Sequence, residues 1–167
     1  MSKKFPQTIN GIEYKSKEEL DARIKSDLEQ LAHLVFDIYQ WQKSMDKRLE
    51  QQPEGFSFAS EGRMCSVCLG GTSGELWYDK LGIRCLDCQQ AYVKKIIPGY
   101  VIKDHENRRY ITGMRLSINT GLRSQQLKKL IKSGELKARI IEHSGTSDTM
   151  IFLKSENPSL IKYFSQR

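Results

Sequence analysis

The sequence predicts an α+β chain assembled from modules, and three observations carry that expectation. An Asn-Gly pair stands between two short alternating segments near the start. From Lys17 to Glu50 there is neither Pro nor Gly, and apolar residues recur at helical spacing. Four cysteines in two Cys-x-x-Cys pairs then interrupt the chain, and a basic stretch follows them. The expected boundaries are 1–50 for a hairpin and long helix, 51–63 for a linker, 64–99 for the cysteine module and 100–167 for a basic module.

Each element has a local reason. In Thr8-Ile9-Asn10-Gly11-Ile12-Glu13-Tyr14 both central residues tolerate positive φ, so a tight hairpin is expected. Ser16 followed by Glu19 forms a capping box at the start of a helix. Ile24, Leu31, Ile38 and Met45 keep a seven-residue interval, with Leu34 and Trp41 filling part of a second seam. Such a helix would run about 50 Å, more than a small module covers, so part of its stripe is expected to meet a protein partner or a second copy. The segment 51–63 holds Pro53, Gly55 and Gly62 and reads as a linker, in which Phe56 and Phe58 can add a short extended segment.

Cys65, Cys68, Cys85 and Cys88 are the chain's only cysteines, and sixteen residues separate the two pairs. Two thiolates three positions apart can turn onto one cation, and a second pair completes a tetrahedral shell, the arrangement zinc prefers. One structural zinc is therefore expected, with no open coordination position for water. Two disulfides would each close a very small loop and staple little chain, and no secretory signal precedes the cysteines. A hairpin is expected over Glu75 to Arg84 and a helix over Gln89 to Ile97. Knuckle, hairpin and helix resemble a treble-clef finger, and a zinc ribbon has similar spacing.

Composition narrows the partners. Hydrophobic residues make up 38% and charged residues 28% of the 167, no apolar run reaches membrane-spanning length, and a cytoplasmic location is expected. The formal net charge is +7, yet Gln89 to Ile140 holds twelve Lys or Arg against three Asp or Glu. A surplus of nine in that stretch suits a polyanion partner.

Within it, Thr112 can cap a short helix containing Leu116 and Ile118, Gly121 permits a sharp turn, and Ser124 can cap a second helix. Leu127, Leu130 and Ile131 would face inward, leaving Gln125, Gln126, Lys128, Lys129 and Lys132 outward. Tyr110-Ile111-Thr112 and the run from Thr120 to Ala138, Thr-Gly-Leu-Arg-Ser-Gln-Gln-Leu-Lys-Lys-Leu-Ile-Lys-Ser-Gly-Glu-Leu-Lys-Ala, resemble the excisionase and MerR type of winged helix-turn-helix. That resemblance implies DNA binding through the second helix, with a wing from 138–142 and 149–153. Arg123, Gln125 and Gln126 are then candidates for base contacts; Lys128, Lys129, Lys132 and Arg115 are candidates for contacts to the backbone. The wing tip, Ser144 to Asp148, carries no basic residue, and Asn119 and Thr120 replace apolar side chains usual in the family. Asn157-Pro158 should start a final short helix through Phe164.

No catalytic constellation emerges, so the expected function is binding: a DNA-binding protein acting in transcription control or as a recombination accessory. A second expectation is a protein-binding adaptor, since a helix before a four-cysteine finger partly resembles the DksA and TraR regulators of RNA polymerase. RNA is a third possible polyanion. His33, His105 and His143 are expected to be surface or flanking residues.

Overall fold

The structure, a computed structural model, describes residues 5–60, 62–70, 74–104, 108–144 and 147–163. The chain divides into two compact units, Met1–Glu50 and Gln51–Arg167. The architecture is α+β, with the hairpin and long helix expected at the start.

In the first unit, β1 (Gln7–Ile9) and β2 (Ile12–Tyr14) pair antiparallel around Asn10 and Gly11, whose φ values are 50° and 79°. Ser16 Oγ accepts from the Glu19 amide at 3.2 Å, and Glu19 Oε2 accepts from the Lys15 amide at 2.8 Å. The reciprocal bond therefore reaches one residue further back than in the standard capping box. Helix α1 (Lys17–Gln51) carries Glu18 and Glu19 in its first turn and Arg48 in its last, the charge order that suits the helix dipole. Met45 is buried and Trp41 and Leu49 are half-buried, whereas Ile24, Leu28, Leu31, Leu34, Val35, Phe36, Ile38 and Tyr39 are all exposed.

The second unit opens with an antiparallel sheet of β3 (Phe56–Ala59), β4 (Glu75–Asp79) and β5 (Gly82–Cys85). The stretch 51–63 thus contributes a strand, seated by buried Phe56 and half-buried Phe58. Gly55 has φ of +102°, and a Cβ there would sit 2.7 Å from both the Trp77 indole nitrogen and the Tyr78 carbonyl. Helix α2 spans Leu86–Val93, opening within the second cysteine pair and ending sooner than the expected Ile97. Its start is set by Cys85, whose sulfur accepts from the Cys88 amide. Its end comes where Lys95 takes φ of 58° and the Ile96 amide turns back to the Ala91 carbonyl at 2.9 Å.

After the short α3 (Tyr100–Lys103), a second sheet forms in the order β6 (Tyr110–Thr112), β8 (Thr149–Leu153), β7 (Arg139–Ile141). Between β6 and β7 lie α4 (Gly113–Thr120) and α5 (Ser124–Lys132). Thr112 Oγ1 accepts from the Arg115 amide at 3.2 Å, as a cap should. Gly121 takes φ of 72°, and Thr120 Oγ1 donates to the Leu116 carbonyl while accepting from the Leu122 amide, so the turn between the helices is closed. The second helix is capped differently from expectation. Arg123 is the N-cap and its amide donates to Gln126 Oε1 at 2.7 Å, leaving Ser124 as the first helical residue. The glutamine three positions after Arg123 thus satisfies the N-cap amide, the reciprocal half of a capping box. Ile118 is exposed, so Leu116 is the side chain through which α4 reaches the core.

Segments 64–99 and 100–167 share one core. Val67, Leu76, Ala91, Ile97 and Val101 cluster with Tyr110, Ile141, Ile151 and Leu153. A second cluster, Ile111, Leu116, Leu127, Leu136, Met150, Phe152 and Leu160, lies on the other face of the β6–β8–β7 sheet. Alternation along β8 feeds both: Ile151 and Leu153 join the first, Met150 and Phe152 the second.

Two buried polar side chains organise this unit. Arg84 has no exposed side-chain surface and bonds the Asp79 carboxylate, donates to Gln89 Oε1 at 2.6 Å and to the Gly82 carbonyl at 3.2 Å, and lies over the Tyr92 ring. Burial would raise the Asp79 pKa, but the Arg84 bonds and charge outweigh it and hold it below the usual carboxylate range. Asn157 accepts from the Lys137 amide at 2.8 Å and donates to the Lys137 and Leu153 carbonyls at 2.8 and 3.0 Å. The segment beyond it, Pro158–Tyr163, is 3-10 instead of α-helical; Phe164 lies outside the described residues.

Asn157→Ala strands the buried Leu153 carbonyl and the part-buried amide and carbonyl of Lys137, so it should cost about 1–3 kcal/mol of unit stability. Urea unfolding followed by tryptophan fluorescence measures it; a loss under 0.5 kcal/mol, the range of ordinary surface changes, would contradict the role assigned.

Candidate functional site

The four cysteines converge from three pieces of chain. Cys65 and Cys68 sit on a knuckle in which the Leu69 amide donates to the Cys65 carbonyl at 3.0 Å and the Cys65 amide to the Gly70 carbonyl at 3.3 Å. Leu69 adopts φ of 56°, and a Cβ on Gly70 would lie 3.3 Å from the Cys68 sulfur. Cys85 ends β5 and Cys88 lies in the first turn of α2, so the second pair straddles a strand-to-helix junction. The register of β4 against β5 puts Cys85 opposite Leu76, and Ser66 fastens the knuckle to the sheet through the Ile83 carbonyl at 2.5 Å.

The geometry fits a metal. Sulfurs about 2.3 Å from a common tetrahedral centre stand about 3.8 Å apart. Cys68 Sγ and Cys85 Sγ are 3.9 Å apart, and all four sulfurs lie within 4.8 Å of one another. None of the four is in a disulfide, and three are buried while Cys68 is half-buried. Backbone amides of Val67 and Cys88 point at the sulfurs of Cys65 and Cys85, at 3.4 and 3.5 Å, as donors to thiolates do.

The electrostatics of the cluster would favour a cation there. Hydrogen bonds from Cys68, Cys85 and Cys88 pull the Cys65 thiol pKa down, so one thiolate forms readily. Contacts with Cys65, Cys68 and Cys85 push the Cys88 thiol up, because further negative charge accumulates in a buried cluster. A divalent cation removes that opposition, and with four thiolates bound it would hold structure and leave no position for substrate.

Two residues that sequence reasoning did not assign support the cluster. Cys85 Sγ, the Asp87 carboxylate and a ring nitrogen of His143 also lie within 4.8 Å of one another. His143 is no surface residue: its side chain is 7% exposed. One ring nitrogen meets Asp87 Oδ2 at 3.3 Å and the other Thr149 Oγ1 at 2.9 Å, while the Ser144 amide also reaches Asp87 Oδ2 at 3.3 Å. Both nitrogens are thus engaged by outer partners, and the histidine ties the cysteine cluster to the β7–β8 hairpin. Asp87 lies inside Cys-Leu-Asp-Cys and was visible; a partner 56 positions away was not. His33 is exposed on α1, and His105 lies outside the described residues.

The second candidate surface is basic. Arg115 on α4, Arg123 at the cap and Gln125, Gln126, Lys128, Lys129 and Lys132 on α5 are all exposed. Leu127 is buried, and Leu130 and Ile131 pack beside it, so the inward face of α5 is the one expected. Gln126 is partly committed, since its carbonyl oxygen caps the helix. A groove between α5 and the β7–β8 hairpin is lined by Ser124, Lys128, Ile131, Ile140, Ser147, Asp148 and Met150, which sets an acidic side chain on its hairpin rim. Among the described residues, no helix is long and apolar enough to cross a membrane.

Fold and site together define an α+β chain with a four-cysteine centre able to hold a metal ion. Comparison with protein families, curated proteins and solved structures finds no match for the chain.

Elemental analysis of the protein purified without added metal should find about one metal ion per chain. Stripping it should expose four titratable thiols and lower Tm by about 10 °C or more. A metal-free protein with unchanged Tm would show that the cluster is held by packing alone.

Proposed function

We propose that this protein binds nucleic acid, most favourably duplex DNA, through α4 and α5, and that a structural zinc ion rigidifies the support behind them. The observation that carries the reading is the outward face of α5: an unbroken set of Gln125, Lys128, Lys129 and Lys132 beside Arg115 and Arg123, on a helix whose opposite face is anchored by Leu127. Two helices joined by a tight turn and followed by a hairpin are the parts of a winged helix-turn-helix. Glutamine can hydrogen-bond an adenine edge in the major groove, and lysines and arginines neutralise phosphates. Because Asp148 lies on the hairpin rim, the hairpin is assigned no phosphate contact, and affinity falls to the helices. A tetrahedral set of four thiolates favours zinc, with iron the other cation such a set accepts. Knuckle, hairpin and a second pair at a helix start match the treble-clef order; a zinc ribbon would need a second hairpin there. The role is binding and not catalysis, in transcription control or as an accessory to DNA rearrangement.

A protein-docking reading is favoured by one separate observation, the apolar side chains exposed along α1. The two readings divide the chain between them and make different demands on the same variant.

The test is binding of metal-loaded protein to random duplex DNA, single-stranded DNA and RNA across a salt series. Duplex binding should show a steep negative salt slope. Lys128→Glu with Lys129→Glu should weaken it at least tenfold and reduce the slope by about 2. Absence of binding to any of the three at low salt would leave the docking reading in possession. Tighter binding to RNA would reassign the polyanion.

A further inference from the structure

We propose that the exposed stripe of α1 is the seam of an antiparallel coiled-coil dimer between two copies of this chain, centred near residue 33. Ile24, Leu28, Leu31, Val35 and Ile38 follow one another at intervals of four, three, four and three, the spacing of a two-position seam, and all are exposed. The alternative seam through Leu34 and Trp41 also contains Asp27 and Arg48, and Asp27 is already paired to Arg23 on the same helix at 3.0 Å. Leu28 and Val35 are therefore the companions of the seven-residue series. Beyond Ile38 the seam meets Gln42 and then the buried Met45, which ends the stretch available to a partner.

The surface has the relief that such pairing needs. Leu28, Leu31, Ala32 and Val35 stand at i, i+3, i+4 and i+7 and line a depression continued by Phe36 and Tyr39. Four residues so spaced form the hole that receives one knob from a facing helix, and Ala32 is its shallow floor.

Side-chain shape and charge both choose the orientation. With Ile24, Leu31 and Ile38 at one seam position and Leu28 and Val35 at the other, a parallel pair would stack each residue on its own copy, Ile on Ile and Leu on Leu, a pattern that drifts to three or four strands. Antiparallel pairing sets Leu28 against the other copy's Ile38 and Leu31 against its Val35, one leucine and one β-branched residue per layer, with Ile24 meeting Gln42 at each end. Residues 1–50 carry nine Lys or Arg and nine Asp or Glu, so the whole net charge of +7 belongs to 51–167, which follows α1 in the chain. Parallel strands would gather two or more such charges at one end; antiparallel strands separate them.

The size suits a reversible dimer. Ile24 to Gln42 spans about 27 Å. The seam with Leu34 and Tyr39 beside it offers apolar surface on the order of the 800 Å² per partner found in stable interfaces. None of this depends on nucleic-acid binding, and its failure would leave that reading standing.

Sedimentation of the full metal-loaded chain should show a dimer that dissociates on dilution, and Leu31→Asp with Val35→Asp should shift dissociation at least a hundredfold toward monomer. Because that variant can also loosen the helix, disulfide trapping decides orientation, with wild type as the control for the native cysteines. Ile24→Cys mixed with Gln42→Cys should give a cross-linked pair, whereas Ile24→Cys alone should not. A wild-type monomer at 100 micromolar would overturn the proposal and leave the face to a different polypeptide. Self-cross-linking of Ile24→Cys would overturn it in favour of parallel strands.

Discussion

Four sulfurs drawn to within 4.8 Å of one another are the constraint from which the second unit is built. Thiolates repel, so the cluster has to be compelled, and the chain compels it from several directions at once. The β4–β5 register delivers Cys85, the first turn of α2 delivers Cys88, and Ser66 pins the knuckle that carries the other two. A cation held at the centre would convert that repulsion into attraction and cross-link strand, knuckle and helix. Such a cross-link would add to two cores built, among the described residues, on three-stranded sheets and helices of no more than nine residues.

From the cluster, order passes to the basic face through packing and two polar ties. The cysteines share a core with Ile151 and Leu153, while the alternate residues of the same strand, Met150 and Phe152, support α4 and α5. One strand therefore couples the cysteine cluster on one face of its sheet to a pair of helices on the other. His143 makes the same connection with hydrogen bonds, holding Asp87 from the cysteine pair and Thr149 from β8. Asn157 closes the far end by binding both backbone groups of Lys137. A surface helix presented this way loses little freedom on meeting a ligand, which is the condition for directional recognition.

What the sequence made legible were features with a local cause. Asn10-Gly11, Ser16 with Glu19, Thr112 and Gly121 each act through bonds spanning a few residues, and each stands where the sequence puts it. The four cysteines were equally readable, because ligand spacing is itself a local property. The misreadings have long-range or competing causes. Ser124 lost the cap to Arg123 because Gln126 could reach back, a contest between two acceptable local solutions. His143 looked like a surface residue because its partner in the cysteine cluster is 56 positions distant. Arg84 drew no notice at all, since a lone arginine in a strand is usually solvated, and its burial depends on Asp79, Gln89 and Tyr92 converging around it.

The two units meet the same physical demand in opposite ways. Residues 51–167 bury apolar side chains in two cores beside the cysteine cluster and carry the whole net charge, while the apolar side chains they leave exposed, among them Met64, Val93, Met114 and Ile161, are scattered over several elements. Residues 1–50 have balanced charge, and eight large apolar side chains between Ile24 and Tyr39 remain in water. Helices in proteins draw most of their stability from packing an amphipathic face, and this stripe has no such packing within its own unit. Exposed apolar surface is also rare unless something covers it. The stability of α1 is therefore expected to be settled by association, whereas that of the second unit is settled within its own chain.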